Sequence, residues 1–110
     1  MKNAVKPPKN QSKKARILWR ELQAEYQIED AAGLDLLADY CQFFDRREQA
    51  RVLIRQNGPT VLDRFQQIQV NPACRVERDS SAAMIKILRQ LNLDVEPTRD
   101  RPGRPPGTGR

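Results

Sequence analysis

The chain has 110 residues, with 20 Lys or Arg against 14 Asp or Glu, no histidine and two cysteines. That length allows one small domain. No apolar run approaches the ~18 residues of a membrane span, no apolar stretch follows the basic front as in a signal peptide, and two cysteines without histidine cannot supply the four ligands of a structural zinc site.

A cytoplasmic protein is therefore expected. Cys41 falls in an apolar helical pattern and reads as a small buried hydrophobe. A disulfide to Cys74 is not expected, because nothing signals an oxidising compartment.

The net charge of +6 is unevenly placed. Residues 1–16 hold six basic and no acidic side chains, residues 17–93 hold ten and eleven, and residues 94–110 hold four and three. The excess sits on Lys2, Lys6, Lys9, Lys13, Lys14 and Arg16, a localised basic footprint of the kind used on nucleic acid. A solubilising arm is the bland alternative. Residues 1–11 contain Pro7 and Pro8 and few apolar side chains, and read as a flexible basic arm.

Ser12 is the expected cap of a first helix running to about Tyr26. Leu18, Leu22 and Tyr26 fall at i, i+4 and i+8 with Trp19 beside them, which predicts a buried stripe. The stretch "SKKAR" opens this helix with positive charge at the end that favours anions. The free N–H groups of a helix start bind phosphate, and lysines beside them add Coulombic pull.

A link "QIED" ends on Asp30, the expected cap of a second helix from about Ala31 to Asn57, with Gly58 as an αL stop and Pro59 behind it. At 1.5 Å per residue it spans roughly 40 Å. From residue 34 to 44 its polar residues, Asp35, Asp39 and Gln42, occupy one narrow line. Apolar side chains cover the rest, whereas an ordinary surface helix buries one stripe. Leu36, Leu37, Tyr40, Phe43 and Phe44 are the candidate oligomerisation residues on this basis. A central helix wrapped by its own chain is the alternative.

After Pro59 the period changes. "TVLDRFQQIQV" alternates and holds β-branched residues, predicting a hairpin with roughly 60–64 paired to 66–70. A lone hairpin is marginal in water and needs a surface to lie on. Asn71-Pro72 then predicts the start of a third helix reaching about Leu91, with Met84, Ile87, Leu88 and Leu91 on one face. Arg75, Arg78, Lys86 and Arg89 make its basic outer side, read as solvated. The tail "VEPTRDRPGRPPGTGR" cannot build a core and reads as flexible. The expected organisation is a basic arm 1–11, a helical oligomerisation unit 12–93 with a hairpin near 60–70, and a Pro/Gly/Arg tail 94–110. The fold class is all-α with a small β-hairpin, three helices with the second long, assembling as a ring oligomer.

Catalysis is not expected. Without histidine, general-base work falls to carboxylate, lysine or cysteine, and the acidic residues stand singly among basic ones. No P-loop or dinucleotide fingerprint is present. A helix-turn-helix fits poorly, because that motif needs two short helices joined by a tight turn.

The pieces "SKKARILWRELQAEY", the long helix around "LLADYCQFF", "NGPT" leading into a hairpin, and "NPACRVERDSSAAMIKILRQLNL" before a polar tail resemble, in order and spacing, the small terminase subunits of tailed double-stranded-DNA bacteriophages, short class. The cover is about residues 12–95. The chain departs from the family pattern at Gly33, where an acidic residue is common, and in the hairpin turn, which has no glycine.

The resemblance implies a non-enzymatic protein without cofactors. It implies a ring of several subunits that binds viral double-stranded DNA near the packaging start in the host cell cytoplasm and passes it to a large subunit carrying the ATPase and nuclease. An oligomeric structural protein without a nucleic-acid role, and a small dimeric DNA-binding regulator, are the alternatives left open by the residues alone.

Overall fold

The computed structural model describes residues 5–91. Lys2, residues 92 and 93 and the tail 94–110 lie outside the described residues. The elements run α1 (Lys13–Tyr26), α2 (Ala31–Asn57), β1 (Thr60–Leu62), β2 (Ile68–Val70) and α3 (Pro72–Gln90). The expected class holds: three helices, the second the longest, with one two-stranded antiparallel hairpin.

Local chemistry sets the helix boundaries. The Ser12 hydroxyl accepts from the Ala15 N–H at the start of α1. The Asp30 carboxylate accepts from the Gly33 N–H at 2.9 Å at the start of α2. The Asn71 side chain accepts from the Ala73 N–H at the start of α3, with Pro72 in the first turn. Each side-chain oxygen satisfies a backbone donor that has no partner within its own helix.

Gly58 closes α2 at φ 82°, ψ 172°. The positive φ is as expected, but the ψ is extended rather than αL. This is a region that only glycine enters readily, and it turns the chain directly into β1. Gly33 is required for a different reason. A Cβ there would lie 2.7 Å from Asp30 Oδ1 and 2.9 Å from Ile28 Cγ2, so the tight capping turn has no room for a side chain.

The core joins α1 to the first half of α2. Ala15, Trp19, Ile28, Leu37 and Cys41 are buried together, with Leu18, Leu22, Leu34, Tyr40, Phe44 and Leu91 partly buried around them. The expected α1 stripe is thus rotated. Ala15, Trp19 and Gln23 face inward, Leu18 and Leu22 flank them, and Tyr26 is 42% exposed. Two features turn the helix this way. The Gln23 amide is satisfied while buried, its Nε2–H donating to the Ile28 carbonyl at 2.9 Å. Residues 5–11 also lie along α1, where the Trp19 Nε1–H donates to the Val5 carbonyl at 2.9 Å. Buried polar groups are tolerated when they are bonded in this way.

α3 packs along α2, and its C-terminal cap, Leu91, reaches the core shared with α1. Ala50, Ala73, Ser80, Met84 and Ile87 are buried, and Arg51 joins the two helices through Glu77 at 2.9 Å while also reaching Glu48. One long helix therefore packs against both α1 and α3. Its apolar residues face several directions for that reason.

The hairpin register pairs Thr60 with Val70, Val61 with Gln69 and Leu62 with Ile68. The paired segments are shorter than the expected 60–64 and 66–70, because residues 63–67 form the loop. The Asp63 carboxylate organises it by accepting from the Phe65 and Gln67 N–H groups and from Gln69 Nε2. Gln66 takes a positive φ of 65°, the position where a glycine is otherwise favoured. At the base, Asn71 donates from its backbone N–H to the Pro59 carbonyl and from Nδ2 to the Gly58 carbonyl. The residue that caps α3 thus also fixes the hairpin to the helices.

Candidate nucleic-acid interface

The basic candidates occupy the front of the molecule. Lys6 and Lys9 are exposed on the segment along α1, and Lys13, Lys14 and Arg16 are exposed in the first turn of α1. Among the described residues, none of these five side chains makes an ion pair or a hydrogen bond. Lys2 lies outside the described residues.

The anion that a helix start favours comes from elsewhere in the chain. Asp45, on α2, accepts from the Ser12 N–H at 2.9 Å and from the Ser12 hydroxyl. The Ser12 hydroxyl oxygen in turn accepts from the Ala15 N–H at 3.0 Å, and the Arg16 N–H donates to the Ser12 carbonyl. The relay Asp45–Ser12–Ala15 places a carboxylate at the positive end of α1, where a first turn of Lys13, Lys14 and Arg16 supplies none.

A carboxylate thus already engages the N–H and hydroxyl of the cap residue Ser12, beside the first-turn N–H groups of α1. The lysine and arginine side chains stand around it. Lys13 and Lys14 border a shallow recess whose other wall holds Asp45, Glu48, Phe44 and Val52. The surface is thus mixed in sign on the α2 side.

The candidate oligomerisation residues separate into two groups. Leu37 is fully buried in its own chain. Leu36, Tyr40, Phe43 and Phe44 are half-buried, with Tyr40 and Phe44 packed on the core. The Arg46 guanidinium lies 5.4 Å from the Phe43 ring centre and that of Arg47 5.5 Å from Phe44, covering part of each ring by cation–π contact. Burial pushes the Tyr40 phenol up, opposed by the nearby Arg47.

The more exposed apolar side chains stand elsewhere: Val52 and Leu53 late in α2, Val76 in α3, and Leu62, Phe65, Ile68 and Val70 on the hairpin. The alternation that predicts the hairpin also marks its apolar face, but the sequence alone did not single these residues out.

Both cysteines are free thiols. Cys41 is buried, and desolvation, with the Asp45 charge adding to it, pushes its pKa up to about 12, so it is a neutral core residue rather than a nucleophile. Among the described residues no group of three or more Cys, Asp or Glu could hold a metal ion. Nor, among them, is any helix long and apolar enough to cross a membrane.

Three capped helices, a hairpin tied to them through Asn71, and basic side chains unpaired among the described residues at the first helix make up an all-α protein with one small hairpin. A model of the family described as phage terminase, small subunit, matches residues 15–101. The chain belongs to that family, which gives it a role in phage genome packaging. No curated protein and no solved structure matches it.

Proposed function

We propose that the protein is the DNA-binding, regulatory small subunit of a phage packaging terminase. On this reading it assembles as a homo-oligomeric ring and binds viral double-stranded DNA at the packaging start in the host cell cytoplasm. It is not an enzyme itself and presents the DNA to the large subunit, which carries the ATPase and nuclease. The observation that carries the DNA role is the set of exposed side chains Lys6, Lys9, Lys13, Lys14 and Arg16, unpaired among the described residues. Lys2, outside the described residues, adds one more positive charge to the sequence there, and closing subunits into a ring multiplies the set into a dense basic surface.

The expected organisation remains part of the proposal. A basic arm over 1–11 and a tail over 94–110 flank the helical unit, and Leu36, Tyr40, Phe43 and Phe44 add apolar area to subunit contacts.

Electrophoretic mobility shift on duplex DNA over a salt series tests the DNA role. If Lys2, Lys6, Lys9, Lys13, Lys14 and Arg16 each neutralise a phosphate, log K against log salt has a slope of roughly −5 per engaged subunit. Each Lys→Ala change reduces that slope by about 1 and weakens binding to all sequences alike. Binding that ignores salt, or is untouched in the K6A/K9A/K13A/K14A variant, overturns the role of this surface.

A further inference from the structure

Paired residues of an antiparallel ladder share a face, as do residues two apart. The register therefore puts Thr60, Leu62, Ile68 and Val70 on one face of the hairpin. Leu62, Ile68 and Val70 are 59, 75 and 68% exposed, and Phe65 in the loop is 68% exposed. The Asp63 and Asn71 hydrogen bonds fix the hairpin's shape but leave this face uncovered. Two three-residue strands without a third strand or a helix beneath them are marginally stable at best in water.

A recess lies between α2 and the start of α3. Arg46, Gln49, Ala50, Leu53, Pro72 and Val76 border it, with a volume of about 410 Å³. Leu53 and Val76 are 47 and 44% exposed there.

The rest of the chain is poorly equipped to cover either feature. Outside the described residues, the large apolar side chains are Met1, Leu93 and Val95, the remainder being small, polar, charged or proline. The chain therefore carries both an exposed apolar hairpin face and an apolar recess, the latter bordered by Asn71 at the hairpin's base.

We infer that the hairpin of one copy seats Leu62, Phe65, Ile68 and Val70 in the α2–α3 recess of a second copy. Four apolar side chains, each more than half exposed, supply a large apolar contribution to an interface of the ~800 Å² per partner found in stable complexes. Because the two halves of the contact are different surfaces, each copy can give its hairpin to one neighbour and its recess to another, the heterologous arrangement that closes into rings where the rotation permits. The contact rests on the oligomeric part of the proposed function and names the surfaces that would produce it.

Two variants with one damaged half each provide the test. Ile68→Asp spoils the hairpin and keeps the recess; Leu53→Asp spoils the recess and keeps the hairpin. Native mass spectrometry at high micromolar concentration is expected to show an assembled wild type and each variant alone as monomer. An equimolar mixture is expected to give heterodimers and nothing larger. A wild type that assembles together with variants that assemble as it does overturns the hairpin contact while leaving oligomerisation intact. A wild type that stays monomeric overturns oligomerisation and this contact with it, and so does assembly that appears only when the large subunit is added. Duplex mobility shifts on the same samples report the DNA role separately.

Should circular dichroism show either variant misfolded, I68C and L53C, prepared separately in a Cys74→Ser background, are mixed and oxidised instead. A disulfide joining the two different variants supports the contact, and its absence overturns it.

Discussion

Replacing Asp45 by Asn should weaken the fold and strengthen DNA binding at the same time. The Asp45 carboxylate accepts two hydrogen bonds from Ser12, which itself caps α1 through Ala15. Hydrogen bonds to charged acceptors contribute ~1.5–3 kcal/mol when shielded, and less here because the pair is exposed to solvent. An amide has one acceptor oxygen, so one bond is lost and the other loses its charge. Losing the anion at the helix start removes about 0.3–1 kcal/mol more.

The net expectation is ~1–2 kcal/mol, read as a fall in the urea midpoint with an unchanged slope. Protein concentration must be held fixed, since association adds to apparent stability. On the DNA side, removing a negative charge roughly 7 Å from a phosphate held by Lys13 or Lys14 gains on the order of 0.6 kcal/mol in water. That is about threefold tighter binding per engaged subunit at low salt. Mobility shift measures it under conditions where the variant is folded. Stability unchanged within about 0.3 kcal/mol, or DNA affinity that falls with the protein still folded, would refute the relay and the charge assignment respectively.

Three further outcomes are expected. Gly33→Ala should destabilise by ~1–2 kcal/mol in urea unfolding, although alanine ordinarily favours a helix over glycine by about 1 kcal/mol, because the new methyl meets Asp30 and Ile28; a stabilised variant would contradict the close approach. A thiol reagent at pH 8 should modify Cys74 and spare Cys41 in the native protein but reach both in denaturant. Because burial holds Cys41 protonated up to about 12 while the unfolded thiol ionises near 9, its contribution to stability is complete below that lower value and declines as pH rises between the two. For Asp63, the hydrogen bonds from Gln67, Phe65 and Gln69 hold the carboxyl below its ordinary range. The stability it gives the hairpin is present above that ordinary range and is lost as pH falls through the depressed value, so amide resonances of Phe65 and Gln67 should shift in strong acid and Asp63→Asn should abolish that transition.

Local chemistry was the legible part of the sequence. Ser12, Asp30 and Asn71-Pro72 announce helix starts because a cap acts within three residues, and Gly58-Pro59 announces a stop for the same reason. The inward face of α1 was not legible from spacing. Leu18, Leu22 and Tyr26 outrank Gln23 in hydropathy, but a buried bond to Ile28 and a segment laid across Trp19 bring Gln23 inside. The hairpin's alternation was visible, whereas its loop depends on one carboxylate collecting three donors, which no turn dipeptide encodes. The basic candidates could be read from charge distribution alone. Their electrostatic setting could not, because Asp45 lies 33 residues from Ser12 and no pattern in the intervening sequence marks the pairing.

The indole of Trp19 has a practical consequence. The chain holds one tryptophan, and its ring is sealed beneath the segment that bears Lys6 and Lys9, with its nitrogen bound to the backbone there. Intrinsic emission is therefore a single-site gauge of whether that segment is attached or lifted. A red shift on adding duplex would follow its release in real time, without a dye or an added cysteine.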